Sequence, residues 1–124
     1  MRILLIDDKK LPQELGYDVE LIARDFNTGI AALAEGGWDL LLLDHDLGDF
    51  SGPGGEERKG WHVLRWLARP ENRQFIPHQV KCVSKNPEGS RDIENARRDL
   101  YSDPDQLVTL DREYMVQYYA SLGN

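Results

Sequence analysis

Two short, continuously apolar segments that end in aspartate restrict the fold more than any other feature of this sequence. The segment from Arg2 to Ile6 is followed by Asp7 and Asp8. The segment from Trp38 to Leu43 is followed by Asp44. Short segments that are apolar on both faces are typical of strands in a parallel sheet, where helices cover both sides. The sequence therefore predicts a parallel sheet in which two buried strands carry acids at their carboxyl ends.

The rest of the chain alternates further strand and helix signals. These are strands at Val19 to Ala23, Val80 to Val83 and Leu107 to Leu110, helices capped by Asp25, Ser90 and Asp111, and a helix over Trp61 to Ala68. Such alternation indicates an α/β fold with a doubly wound, mostly parallel sheet, here of five strands. A chain of 124 residues suits one domain, so we expect residues 1–124 to form a single unit.

Two connections are unusual for such a sheet. The segment from Asp8 to Gly16 is polar and contains Pro12, which predicts a loop or one helical turn and hence a shortened first helix. The segment from Gly48 to Gly60 carries five glycines and one proline, which predicts a long flexible loop after the third strand. Loops of this length often carry function.

The composition argues against several classes of protein. The formal net charge is −7, which argues against bulk DNA binding because a general nucleic-acid binder carries a basic face. No apolar run approaches the roughly 20 residues of a membrane helix, and the stretch before Asp7 is too short for a secretory signal. Cys82 is the sole cysteine, which fits a cytoplasmic protein. His62 and His78 have no acid or metal partner at a diagnostic spacing, so we expect both at the surface.

The acids at the strand ends predict a metal site. Ligands of a parallel sheet lie beyond the carboxyl ends of its strands, and this rule places Asp7, Asp8 and Asp44 at one edge. Three neighbouring carboxylates repel one another unless they share a cation or a proton, and oxygen atoms are the ligands that Mg²⁺ prefers. We therefore predict bound Mg²⁺ or Mn²⁺, with Asp46 as an extra ligand or as an orienting residue.

Other residues near this edge favour the handling of a phosphate group. His45 lies between two acids in the sequence, which suits a general acid near neutral pH; the alternative is a histidine that packs against a loop. Ser84, Lys85 and Asn86 precede a helix whose N-terminal amides would attract an anion. The alternative for these three residues is a capped turn that binds no ligand.

The chain resembles the bacterial receiver family, which has the CheY-like, or flavodoxin-like, fold. The resemblance rests on Ile3 to Asp8, Trp38 to Asp44, Gly60 before a helix, and Val83 with Ser84. It implies that Asp7 and Asp8 bind Mg²⁺. It also implies that Asp44 accepts a phosphoryl group and that Ser84 contacts the phosphoryl oxygens. The chain departs from the family at Asp111, because a receiver carries a lysine at the end of its fifth strand.

A closer resemblance is to the receiver-like family named for cyclic-phosphate processing, which occurs in bacteria and phages. It rests on the segments Leu43 to Gly48, Gly60 to Trp61 and Ser84 to Gly89, and on the glycine-rich segment between the first two. From these patterns we predict catalytic roles for Asp44, His45 and Ser84. We predict phosphate binding by Ser84, Lys85 and Asn86.

Three functions remain open at this level. The first is a metal-dependent enzyme that acts on a phosphate ester, such as a 2′,3′-cyclic phosphate of a nucleotide or an RNA end. The second is a stand-alone signalling module, similar to a response regulator, that is phosphorylated on Asp44. The third is a non-catalytic module, for example from a phage, that keeps the fold and binds a partner protein.

Overall fold

The computed structural model describes residues 1–101, in which short strands alternate with helices. The strands are β1 (Ile3–Ile6), β2 (Leu21–Ala23), β3 (Leu40–Leu43), β4 (Asp46–Asp49), β5 (Arg58–Lys59) and β6 (Gln79–Cys82). The helices are α1 (Pro12–Leu15), α2 (Phe26–Leu33), α3 (Gly60–Ala68) and α4 (Pro87–Leu100), with 3₁₀ turns at Pro53–Gly55 and Pro70–Phe75. The predicted strand at Leu107 to Leu110 and the predicted helix after Asp111 lie outside the described residues.

Four strands form one sheet in the order β2-β1-β3-β6, and each neighbouring pair is parallel. The prediction of an α/β fold with a mostly parallel sheet is therefore confirmed, with four strands among the residues described. The two apolar segments, β1 and β3, lie side by side in the middle. Ile6 is opposite Leu43, and Leu43 is opposite Cys82. The residues that follow these strands therefore leave the sheet at one edge.

The two faces of the sheet are covered by different parts of the chain. All side chains of β1 and β3 are buried. One face packs against α2, α3 and α4 through residues such as Phe26, Leu64 and Ile93, and the other packs against Leu15 and Tyr17. Burial of one leucine side chain contributes roughly 1.5–3 kcal/mol, and a slip of one residue would turn each side chain to the opposite face.

None of the described helices has the length and apolar character of a membrane span.

Two local predictions are confirmed. The segment from Asp8 to Gly16 contains a single helical turn, α1, and the first helix is therefore shortened. α2 is capped by Asp25, whose carboxylate accepts a hydrogen bond from the N–H of Thr28 at 2.8 Å. A cap of this kind satisfies a backbone donor that the first turn of a helix leaves without a partner.

The segment from Gly48 to Gly60, which was predicted to be a long flexible loop, is partly structured, because Gly48 and Asp49 end β4, Arg58 and Lys59 form β5, and the two strands pair as an antiparallel hairpin. Leu47 of this hairpin is buried, with 2% exposure. The Asp49 carboxylate accepts a hydrogen bond from the N–H of Phe26 at 2.9 Å, and the Arg58 guanidinium lies 4.3 Å above the Phe26 ring. The sequence did not predict the hairpin because such short strands carry too few apolar positions to show alternation, and contacts with α2 hold the hairpin.

The predicted cap of α4 was also wrong. The helix begins at Pro87, and its N-cap is Asn86 rather than Ser90. The Asn86 side-chain oxygen accepts hydrogen bonds from the N–H groups of Glu88 and Gly89. Proline at the first helical position favours this start because its φ is already helical.

His62 is buried, with 2% exposure, although the sequence predicted a surface position. Its Nδ1 accepts a hydrogen bond from the N–H of Lys59 at 2.8 Å, and its ring stacks on Trp61 at 3.9 Å between centroids. Burial lowers the pKa of His62 to about 3, so the ring is neutral. The prediction failed because α3 is buried around most of its circumference. His78 is exposed, as predicted.

Replacement of Gly60 with alanine tests the close approach between α3 and the end of β3. A Cβ atom at Gly60 would collide with the backbone oxygen of Asp44, so we expect Gly60→Ala to destabilise the fold by about 1–3 kcal/mol. Gly29→Ala is the matched control, because its Cβ would meet side-chain atoms of Ile6, at 2.7 Å from Cδ1 and 3.3 Å from Cγ1 and Cγ2, and not a backbone oxygen. Urea unfolding of the two variants measures the difference, and equal stability of both would contradict the packing described.

Candidate functional site

Three carboxylates meet at the carboxyl edge of the sheet. Asp7, Asp8 and Asp44 each contribute an oxygen atom, and these oxygens all lie within 4.8 Å of one another. Asp7 is 1% exposed and Asp44 is 7% exposed. The parallel pairing of β1 with β3 brings the acids together, as the sequence predicted. Three oxygen ligands at this spacing suit a hard divalent cation.

The two oxygens of Asp7 have different surroundings. Oδ1 accepts hydrogen bonds from the backbone N–H groups of Lys9 and Lys10, at 2.9 and 3.0 Å. Oδ2 is buried and accepts no hydrogen bond from the described residues. The Lys10 ammonium lies 3.3 Å from it as an ion pair. A buried carboxylate oxygen without a hydrogen bond is an available ligand atom, and the acid group therefore fits a divalent cation.

Asp44 carries the clearest electrostatic sign of crowding. Burial raises the pKa of Asp44 above its ordinary value, and the negative charge of Asp7 raises it further. The Lys10 ammonium, 3.7 Å from Asp44 Oδ1, and the backbone N–H of His45 oppose this rise. On balance the pKa of Asp44 is raised, which means that the folded state disfavours the charged carboxylate. A bound cation would offset this free-energy cost.

The hairpin closes one side of the acid group. A Cβ atom at Gly48 would lie 3.3 Å from Asp8 Oδ2, and Gly48 has a positive φ of 57°. Glycine takes this conformation without strain, whereas a larger residue would be strained and would crowd Asp8. β4 therefore passes directly beside the second acid of the pair.

His45 lies in a second group of side chains, on the side of α4. Its Nδ1 is 3.0 Å from Asp46 Oδ1, and its Nε2 is 3.7 Å from Asp92 Oδ2. The ring is 4% exposed, and it packs on Gly89, where any Cβ atom would collide with the imidazole. The histidine is therefore held between two carboxylates, but the second is Asp92 rather than Asp44.

Asp46 does not join the acid group. Its carboxylate bonds to His45, and it accepts a hydrogen bond from Asn86 Nδ2 at 3.3 Å. Burial alone would raise the pKa of Asp46, but the hydrogen bonds from Asn86 and His45 outweigh it and lower the pKa. Of the two predicted roles, the structure supports orientation, here of the His45 ring, and it does not place Asp46 among the metal ligands.

The predicted phosphate-binding turn is largely satisfied by its own hydrogen bonds. Ser84 Oγ accepts a hydrogen bond from the N–H of Asn86 at 3.1 Å. The Asn86 side chain caps the first amides of α4 and also reaches Asp46. Lys85 is exposed. The turn is therefore capped by its own side chains, and phosphate binding by Ser84, Lys85 and Asn86 stays a prediction.

Lys10 and Asp92 are the residues of these groups that the sequence patterns did not identify. Lys10 follows Asp7 by three residues, and Arg24 Nη1 fixes its backbone through a hydrogen bond of 2.8 Å to the Lys10 carbonyl oxygen. Asp92 follows Gly89 by three residues in α4, so both lie on the helix face that meets His45. The spacing of Gly89 and Asp92 was a usable signal, whereas the position of Lys10 depends on the conformation of the loop.

A comparison with protein-family models gives one match. The model described as "Cyclic-phosphate processing Receiver domain" matches residues 1–99. The match covers both groups of side chains described above. Searches of the curated proteins and of the solved structures found no match.

The raised pKa of Asp44 predicts a pH-dependent effect of Asp44→Asn. The folded state binds the Asp44 proton more tightly than the unfolded chain, so the carboxylate lowers stability as pH rises from its ordinary pKa of 3.8 through the raised value. Without a divalent cation, Asp44→Asn should therefore raise the melting temperature at pH 7, by roughly 2–5 °C. The gain should vanish as the pH falls below 3.8.

Asp46→Asn is the matched control for this experiment. In the wild type the pKa of Asp46 is lowered, so its charged form stabilises the fold at pH 7. That contribution is lost as the pH falls through the lowered value. Thermal melts of both variants should therefore shift in opposite directions at pH 7. A lower melting temperature for Asp44→Asn would contradict the electrostatic description of the acid group.

Proposed function

The chain belongs to the family of cyclic-phosphate processing receiver domains, and from that premise we propose that it binds a divalent cation and acts on a phosphate ester. The substrate class is a 2′,3′-cyclic phosphate, carried by a nucleotide or by an RNA end. The observation that carries the proposal is the group of three carboxylates within 4.8 Å, in which a buried oxygen of Asp7 accepts no hydrogen bond from the described residues.

Asp7, Asp8 and Asp44 would hold the cation, Mg²⁺ or Mn²⁺. When bound, the cation would withdraw negative charge from the phosphate oxygens and so stabilise the transition state. The burial of Asp7 and Asp44 supports this role, because electrostatic interactions are stronger where water is excluded. The hairpin beside Asp8 would exclude water from the same side.

Opening a cyclic phosphate needs a nucleophile and a proton donor. A new P–O bond forms either to a water molecule, which gives up a proton to an Asp44 oxygen, or to an Asp44 oxygen itself; one ester P–O bond breaks, and the leaving oxygen takes a proton. In the second case the Asp44 acyl phosphate is then hydrolysed by water. Asp44 belongs to the acid group, where the new P–O bond would form. We assign to His45 the donation of the proton to the leaving oxygen.

The surroundings of His45 suit a proton donor. Its Nδ1 is hydrogen-bonded to Asp46 Oδ1 at 3.0 Å, and its Nε2 lies 3.7 Å from Asp92 Oδ2, so two negative charges flank the ring. Asp46 fixes the ring at Nδ1, and Nε2, which is buried and forms no hydrogen bond with a described residue, is the nitrogen that would give up the proton. Ser84, close in sequence to Asn86 in the same turn, would contact the phosphate.

Turnover with defined substrates tests this proposal. We expect hydrolysis of 2′,3′-cyclic nucleotides or of cyclic-ended RNA to require Mg²⁺ or Mn²⁺. Asp44→Asn and His45→Ala should each lower kcat by roughly 100-fold or more, which is the contribution of a positioned acid or base. Product formation by ion-exchange chromatography measures the rate.

The matched control is His78→Ala, because His78 is exposed, with 83% of its side chain accessible. That variant should keep the turnover of the wild type. Turnover that is unchanged in both Asp44→Asn and His45→Ala would reject the assignment of roles, and turnover that survives removal of divalent cations would reject the metal site.

Phosphorylation of Asp44 is a second candidate function. The observation in its favour is the Lys10 ammonium 3.7 Å from Asp44 Oδ1, because a cation beside the acceptor would neutralise a transferred phosphoryl group. In that case acetyl phosphate with Mg²⁺ should transfer its phosphoryl group to an Asp44 oxygen and release acetate. Intact mass spectrometry should then find one phosphoryl adduct on the wild type and none on Asp44→Asn. A wild type without an adduct would remove this candidate.

A further inference from the structure

Lys10 is fixed at the acid group by the fold. Its backbone N–H donates to Asp7 Oδ1 at 3.0 Å, and its carbonyl oxygen accepts a hydrogen bond from Arg24 at 2.8 Å. Its ammonium then lies 3.3 Å from Asp7 Oδ2 and 3.7 Å from Asp44 Oδ1, with 18% of the side chain exposed. Among the described residues, no other lysine or arginine forms an ion pair with Asp7 or Asp44.

A divalent cation and this ammonium compete for the same oxygen. Asp7 Oδ1 already accepts two backbone hydrogen bonds, from Lys9 and Lys10. Oδ2 is therefore the oxygen of Asp7 that remains for a metal, and it is also the oxygen that the Lys10 ammonium approaches most closely. A cation that binds Oδ2 must displace the ammonium.

The charge of the site gives the displaced ammonium a second partner. Three carboxylates and one divalent cation leave a net charge of about −1, which would repel a phosphate group. The positive charge of Lys10 would cancel this remaining negative charge. The ammonium is a compact charge on a flexible four-carbon stem, so it can leave Asp7 and still reach an anion that sits beside the metal.

We propose that Lys10 couples metal binding to phosphate binding: its ammonium occupies the acid group in the free protein and transfers to the phosphate oxygens when the divalent cation binds. This inference rests on the proposed function and assigns to Lys10 a role in selecting anionic ligands. Without phosphate, Lys10 weakens the binding of the cation. With phosphate, the two ligands strengthen one another, and by linkage the effect is equal in both directions.

Binding of Mn²⁺, followed through the electron paramagnetic resonance signal of the free ion, tests this proposal with and without inorganic phosphate. Phosphate should tighten Mn²⁺ binding by the wild type. Lys10→Met keeps the apolar stem and removes the charge, so without phosphate it should bind Mn²⁺ roughly 5- to 50-fold more tightly, within the usual range of coupling. In Lys10→Met, phosphate should tighten Mn²⁺ binding by only about twofold or less, which is below that range of coupling.

Two variants control for charge and position. Lys9→Met removes a neighbouring exposed lysine and should behave as the wild type. Lys10→Arg keeps the positive charge and should retain weak binding without phosphate. If Lys10→Met does not fold, as judged by circular dichroism, Lys10→Gln takes its place.

The outcomes separate this inference from the proposed function. Wild-type binding of Mn²⁺ with unchanged affinity in Lys10→Met, or with an equal response to phosphate, would overturn the role of Lys10 and leave the metal site in place. No uptake of Mn²⁺ by any variant would overturn both. Tighter binding in Lys9→Met and Lys10→Met alike would show a general charge effect and would also overturn the inference.

Discussion

The parallel pairing of β1 with β3 is the interaction on which the rest of the site depends. Ile6 pairs with Leu43 within two strands that are buried on both faces, and a slip of one residue would turn each side chain to the opposite face. The same pairing forces Asp7 and Asp44 together at the edge of the sheet. Apolar burial therefore holds two acids close together, and burial, with the negative charge of Asp7 added to it, raises the pKa of Asp44. A cation bound at this group of acids would offset that cost.

In the proposed function, charge stabilisation and proton transfer are assigned to separate groups of side chains. The acid group lies beyond β1 and β3, whereas His45, the next residue after Asp44, is turned towards α4 and packs on Gly89. Consecutive residues of an extended chain point to opposite sides, so one strand end supplies both groups. Gly60 makes the arrangement possible, because its N–H donates to the carbonyl oxygen of His45 at 2.8 Å where a side chain would collide with the backbone of Asp44.

The sequence predicted the parallel sheet and the meeting of Asp7, Asp8 and Asp44, because continuous apolar strands and the rule for their carboxyl ends determine both. It did not predict the hairpin, because β5 has only two residues and its stability comes from contacts with α2. Lys10 was missed for a related reason, since its ammonium reaches the acids only after two backbone amides have folded onto Asp7. Local sequence patterns thus predict the elements that hydrophobic periodicity and burial determine. Contacts that loops make with distant elements can be found only from the structure.

We propose that Asp7, Asp8 and Asp44 share one divalent cation. Crystals grown with saturating Mn²⁺ test it most directly, because the anomalous scattering of manganese locates the ion without reference to activity. We expect one anomalous peak bounded by oxygens of the three carboxylates, including Oδ2 of Asp7. A fully occupied peak elsewhere, or no peak at this edge of the sheet, would contradict it.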